Sequence, residues 1–170
     1  MPNKYIGLSS GRLAETEAID SSAGAGDAGK IPALDAAGKL DATMMPTGMG
    51  PDVKLLPASE NLAAGDLVNV WSDSGTAKVR KADASDATKE AHGFVLAAVT
   101  SPDDATVYLE GQNTQVSGMT PGARQYLDGA TAGAITETPP STATYIVQCV
   151  GTALDATTLA FEVQEPVTLA

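Results

Sequence analysis

The sequence has few of the residues on which thiol, imidazole and aromatic chemistry depend. Its 170 residues include one cysteine, one histidine and 4% aromatics. A single cysteine, Cys149, excludes an internal disulfide, and its place in an apolar run predicts a buried thiol. The longest apolar run, Phe94 to Val99, has six residues, whereas a membrane-spanning helix needs roughly 18. With so few large aromatics, we expect a small core, or one that several subunits share.

Basic side chains are also scarce, since 10 Lys and Arg stand against 21 Asp and Glu and the net charge is −11. Residues 58–170 contain five basic and fourteen acidic side chains, a net charge of −9, whereas residues 1–57 contain five and seven, a net charge of −2. So acidic a surface repels phosphate backbones, which argues against nucleic acid as a partner. It favours solubility at high local concentration.

What the sequence does contain is a short phrase repeated within Gly24 to Pro46, which we call the Gly-Lys segment. Ala28-Gly29-Lys30-Ile31-Pro32-Ala33 is followed nine residues later by Ala37-Gly38-Lys39-Leu40-Asp41-Ala42. Each copy places a Gly-Lys pair at a turn, and two copies are too few to bury an apolar face by stacking. We therefore expect another surface to cover its apolar side chains, which are Ile31, Leu34, Leu40, Met44 and Met45. The alternative is a flexible Gly/Ala linker.

The pattern of strands and turns predicts an all-β protein with two parts. Residues 1–50 are expected to form an extended N-terminal arm that attaches the protein, in which Arg12 to Ile19 makes two helical turns. The breaker Thr47 to Pro51 marks the boundary, and residues 51–170 form a β-rich domain, a small antiparallel barrel or sandwich. Its predicted strands are Val53–Leu56, Asp66–Ser72, Ala77–Lys81, Gly93–Thr100, Thr106–Glu110, Gln125–Leu127, Tyr145–Ala153 and Thr158–Val163.

Motifs for cofactors and metals are incomplete, so we expect neither. Gly24 to Lys30 satisfies G-x-x-x-x-G-K, but Ile31 follows where a phosphate-binding loop needs Ser or Thr, and Pro32 stands where its helix would develop. His92 and Cys149 lack metal-ligand spacing, which predicts a strand-edge histidine without chemistry. The acidic pairs lack the spacing of a calcium loop; they are Asp103 with Asp104 and Asp83 with Asp86.

Several of these phrases resemble structural proteins of tailed bacteriophages. The stretch Asp27 to Leu40 is similar to the Gly-Lys-[Ile/Leu] repeats of phage fibres and head appendages. The segments Ala64 to Val68, Val79 to Asp83 and Val107 to Gly111 are similar to small β-domains of capsid decoration (cement) proteins. The ending, from Val150 to Ala170, resembles closing segments of phage structural proteins.

The resemblance implies a non-enzymatic virion protein, commonly a homotrimer, that is assembled in the host cytoplasm and lies on the outer capsid surface. There it would bind the major capsid protein and clamp neighbouring capsomers together. The apolar residues of the Gly-Lys segment would contact the capsid or sister subunits, with Tyr5, Ile6 and Leu8 as a second set. Two alternatives stay open: a tail-fibre or receptor-recognition module, and an enzyme such as a glycan hydrolase.

Overall fold

The computed structural model of the chain describes residues 4–36, 38–45 and 52–170. The chain divides into two compact units, Met1–Gly50 and Pro51–Ala170. The breaker Thr47 to Pro51, at which the sequence predicts a boundary, lies outside the described residues, as does Pro46 at the end of the Gly-Lys segment. Each unit is described below by itself.

The first unit contains an antiparallel hairpin of β1 (Lys4–Ser9) and β2 (Arg12–Glu17) and two short 3-10 helices, Ala25–Asp27 and Ala42–Met44. Ser10 and Gly11 connect the strands with φ of 52° and 76°. Positive φ at both central residues defines a type I′ turn, whose twist suits a hairpin. The prediction of a helix over Arg12 to Ile19 was wrong, because pairing with β1 outweighs the helix propensity of Leu, Ala and Glu.

Residues 52–170, the described part of the second unit, form twelve strands in antiparallel pairs. They are β3 (Val53–Pro57), β4 (Leu67–Asp73), β5 (Thr76–Lys81), β6 (Gly93–Val95), β7 (Asp104–Tyr108), β8 (Gly111–Asn113), β9 (Arg124–Leu127), β10 (Ile135–Thr136), β11 (Ile146–Val147), β12 (Cys149–Ala153), β13 (Leu159–Phe161) and β14 (Val167–Thr168). The first sheet has the order β3-β7-β6-β4-β5, the second β10-β9-β12-β13-β8, and β11 pairs with β14.

The two five-stranded sheets share one core, and the first sheet contains another. Phe94 stacks on Tyr108 at 5.4 Å and meets Phe161 of the second sheet at 5.2 Å between ring centroids. A second cluster of Leu56, Val68, Val79, Val95 and Val107 comes from all five strands of the first sheet. That sheet curls enough for Ala58 and Val79 to form one bridge between its edges. Strands β4 and β6 contribute residues to both clusters and therefore bury side chains on both faces.

The prediction of an all-β antiparallel fold is confirmed, as a sandwich-like arrangement; no closed barrel forms among the described residues. Ser74 and Gly75 turn between β4 and β5 with φ of 54° and 90°, Gly122 lies in a turn with φ of 82°, and Leu154 to Thr158 connect β12 to β13. Two predicted strands are shorter: Gly93–Thr100 ends at Val95, because Val99 pairs with Leu62 instead, and Thr158–Val163 is reduced to Leu159–Phe161. A third, Tyr145–Ala153, is interrupted at Gln148. Strands β8, β10 and β14, which have two or three residues each, were not predicted from the sequence.

Candidate functional site

The hairpin of the first unit presents an apolar face that is open to solvent. Ile6 and Leu8 are two residues apart on β1 and therefore point to the same side. Leu13 of β2 lies opposite Leu8. Their exposed fractions are 73%, 77% and 77%. Tyr5 points to the other face, where it is half-buried. The structure therefore brings Ile6 and Leu8 together on one face and places Tyr5 on the other. Leu13 joins the exposed face; it was not predicted as a contact, because a helix was predicted over that segment.

The Gly-Lys segment is tied to the residues that follow the hairpin. The Ile19 N–H donates to the Ile31 carbonyl at 3.0 Å, and the Ala33 N–H donates to the Ile19 carbonyl at 2.7 Å. These bonds hold the backbone while the side chains of Ile31 and Leu34 remain 48% and 57% exposed. The segment is thus joined to Ile19 by two backbone hydrogen bonds and still presents apolar side chains to solvent.

Both Gly-Lys pairs lie at turns that an aspartate stabilises. Gly29 and Gly38 have φ of 82° and 72°, a conformation that favours glycine. In the first turn, Asp27 accepts a hydrogen bond from the Lys30 ammonium at 2.7 Å and one from the Ala23 N–H at 2.6 Å. The Lys30 contact lowers the pKa of Asp27, and the Asp27 carboxylate raises the pKa of Lys30. The Lys30 ammonium is thus engaged by a carboxylate within its own turn.

The second copy uses its aspartate differently. The Asp35 carboxylate accepts from the Lys39 backbone N–H at 2.8 Å, and the Lys39 side chain is not part of that bond. Leu40 follows with 42% exposure, and Met45, just after the 3-10 helix Ala42–Met44, is 39% exposed. Met44 is half-buried. Four of the five apolar residues predicted as contacts in this segment are therefore exposed, and Met44 is the exception.

In the second unit, His92 is held by a hydrogen bond from the neighbouring strand β4. Its Nδ1 accepts from the Val70 N–H at 3.0 Å, so the proton of the neutral ring lies on Nε2, which is 3.1 Å from a Glu90 carboxylate oxygen. Asn69 bridges this region to Arg80, whose Nε donates to the Asn69 amide oxygen at 2.9 Å. The Arg80 guanidinium lies 5.0 Å from the centre of the Trp71 ring. In this network His92 accepts the hydrogen bond of a strand backbone group.

A cleft of about 660 Å³ in the second unit lies beside β8 and β13 and includes Glu110 and Glu162. Another, of about 270 Å³, contains His92, Glu90 and Glu165. Among residues 4–36, 38–45 and 52–170, no three His, Cys, Asp or Glu side chains are placed to hold a metal ion. The same residues contain no helix long and apolar enough to cross a membrane. Cys149, predicted to be buried, is only partly so.

No protein-family model, curated protein or solved structure matches this chain.

Proposed function

We propose that this protein is a non-enzymatic structural component of a tailed-bacteriophage virion. It binds the outer capsid surface and stabilises contacts between major capsid proteins. The observation that carries the proposal is where the exposed apolar side chains lie. Of twelve exposed large apolar residues in the described chain, seven belong to the first unit, the smaller of the two. They are Ile6, Leu8, Leu13, Ile31, Leu34, Leu40 and Met45.

Charge supports the same division of roles. Residues 58–170 have a net charge of −9, whereas residues 1–57 have −2. An acidic surface tolerates crowding by copies of the same protein, because like charges keep neighbours apart. A nearly neutral, apolar-rich segment is better suited to lie against another protein, since fewer charges lose their hydration. The first unit is therefore the part suited to lie against other proteins, the capsid or further copies of this chain, and the second is suited to face solvent.

A single attachment segment binds weakly, which favours a multivalent protein. Full burial of an Ile, Leu or Met side chain is worth about 1.5–3 kcal/mol. The five apolar residues of the Gly-Lys segment have only about half of their surface left to bury, so together they supply roughly 4–7 kcal/mol. They are Ile31, Leu34, Leu40, Met44 and Met45. Association costs an estimated 4–15 kcal/mol. In a homotrimer, three linked segments bind at high effective concentration once the first is attached. The proposed partners are the major capsid protein and two further copies of this chain.

Co-sedimentation with capsids of the encoding phage that lack this protein tests the proposal. Ile31→Asp combined with Leu40→Asp places unpaired charge at the contact, and we expect binding to weaken at least about 100-fold. Leu55→Asp combined with Leu154→Asp is the control, because both residues are exposed and lie in the second unit. If both double variants bind capsids like the parent, the attachment role is wrong. Adsorption to host cells in place of capsids would favour a receptor-recognition module.

A further inference from the structure

The apolar face of the hairpin is the most exposed group of large apolar side chains in the described chain. Ile6 is 73% exposed, and Leu8 and Leu13 are each 77% exposed, more than any other large apolar side chain there. The three residues are contiguous on two paired strands. A contiguous exposed apolar patch of this kind marks an interaction surface, whereas single scattered residues do not.

The opposite face of the hairpin is partly covered by its own chain. Tyr5, Gly7, Ala14 and Thr16 alternate with the exposed residues and are all half-buried. A two-stranded hairpin is marginally stable in water without a covered face. Since the Tyr5 face is only partly covered, a partner on the other face would add stability.

The exposed face has three layers of different chemistry along the strands. Leu8 lies opposite Leu13 next to the turn, Ile6 lies opposite Glu15 in the middle, and Lys4 lies opposite Glu17 at the open end. The Lys4 ammonium also reaches a Glu15 oxygen at 2.5 Å. One end of the face is therefore apolar, and the other contains both signs of charge.

We propose that this face binds the same face in further copies of this chain. The exposed faces pack against each other, and the turns of the hairpins lie at the same end. In that arrangement each layer meets its own kind. Leu8 and Leu13 pack against their equivalents, and Lys4 of one copy faces Glu17 of the next. Turning one hairpin end for end would press leucines against charges, which costs desolvation without a compensating bond. The association is a property of the protein alone and does not depend on capsid binding.

Sedimentation equilibrium of the full chain tests the association. Between about 1 and 100 µM, we expect a dimer or trimer in equilibrium with monomer, and Leu8→Ser and Leu13→Ser should each raise the dissociation constant about tenfold or more. Leu55→Ser is the matched control, because Leu55 is 62% exposed on a strand of the second unit. Far-ultraviolet circular dichroism checks that each variant folds. A monomer at the highest concentration, or an oligomer that both serine variants leave intact, overturns the proposal.

Cross-linking tests the orientation independently. In a Cys149→Ser background, Leu8→Cys chains should form disulfide-linked dimers on mild oxidation, because the turn ends meet. In a mixture of Leu8→Cys chains with tagged Lys4→Cys chains, dimers should form within each species more than between them. Predominance of the mixed dimer would show hairpins arranged end for end and would contradict the proposed arrangement.

Discussion

At the scale of single residues, Gly151 shows how tightly the second sheet is built. It lies in β12 where the register with β9 shifts, and its φ is 144°. A Cβ atom at this position would collide with the Ala160 carbonyl oxygen of the neighbouring strand. Both the backbone angle and the close approach therefore require glycine.

Replacing this glycine with alanine should destabilise the second unit. We expect Gly151→Ala to lower the free energy of unfolding by about 2–6 kcal/mol, since backbone strain and overpacking each cost about 1–3 kcal/mol. Gly122→Ala separates the two effects, because Gly122 has φ of 82° with open space where the Cβ would stand. It should cost only about 1–2 kcal/mol. Equal losses in urea denaturation would show that the collision with Ala160 is unimportant.

Aspartates that accept hydrogen bonds within turns of the second unit have a lowered pKa. In the second unit, Asp86 and Asp155 each accept hydrogen bonds from the backbone N–H and the hydroxyl of a threonine two residues later. The bonds to Thr88 and Thr157 lower the pKa of these carboxyl groups below its ordinary value. A lowered pKa in the folded state means that the unfolded chain takes up protons first as the pH falls.

The second unit should therefore lose stability in acid, and Asp155→Asn should reduce that loss. Stability from the aspartate is complete above the ordinary carboxyl pKa near 4 and disappears as the pH falls through the lowered value. An asparagine oxygen still accepts from the Thr157 N–H but does not titrate in this range. Urea midpoints measured between about pH 7 and 2 should fall less for the variant than for the parent. Parallel curves would contradict this role.

At the scale of elements, Gln148 connects strands that are far apart in sequence. It lies between β11 and β12 and is 2% exposed. Its amide oxygen accepts from the Ala91 N–H at 2.7 Å, and its amide nitrogen donates to the carbonyls of Ala91 and Gln164. Ala91 lies just before β6, so the Gln148 side chain connects the second sheet to the residues that precede β6 in the first sheet.

Removing that amide should loosen the contact between the two sheets. Gln148→Met keeps the volume but leaves buried backbone groups of Ala91 without partners, at a cost of about 2–4 kcal/mol in the free energy of unfolding. Gln112→Met, at an exposed position of β8, is the control and should change stability by less than about 0.5 kcal/mol. Chemical denaturation followed by Trp71 fluorescence measures both. A Gln148→Met protein as stable as its control would mean that water replaces the amide.

At the scale of the whole molecule, the second unit has everything that an independent fold requires. Its two apolar clusters, its sheets and their hydrogen bonds lie within residues 52–170. We expect deletion of residues 1–50 to leave the β-sheet circular dichroism signal and the urea midpoint of this unit unchanged, while capsid binding is lost. A truncated protein that unfolds at lower urea would show that the first unit supports the second. Full capsid binding by the truncated protein would contradict the attachment role.

How much of the candidate surface the sequence predicts depends on how local each feature is. Tyr5, Ile6 and Leu8 were predicted as a second set of contacts because they belong to one short apolar segment, which the sequence shows directly. Leu13 was missed, since nothing within Arg12 to Ile19 reveals that it pairs with β1. The dipeptide Ser10-Gly11 was the available signal, because the same dipeptide at Ser74-Gly75 connects β4 to β5 with φ of 54° and 90°.

Pairing between distant segments accounts for most other differences. Strand β14 pairs with β11 through Ile146 with Thr168 and Val147 with Val167. Two residues are too few to show a period, and their partner lies about 20 residues away along the chain. By contrast, the long strands β4 and β5 were predicted within one residue at each end, because β-branched residues and a turn dipeptide coincide there.

The tripeptide Asp-Ala-Thr, which occurs four times, separates what sequence alone determines from what tertiary structure decides. At Asp41, Asp86 and Asp155, the carboxylate accepts from the N–H and hydroxyl of the threonine two residues later. These bonds need only three consecutive residues, so the sequence determines them wherever nothing else intervenes. The fourth copy, at Asp104, lies in β7 and pairs with Pro57 of β3. That pairing needs a strand some 47 residues away, and only the folded chain brings it there.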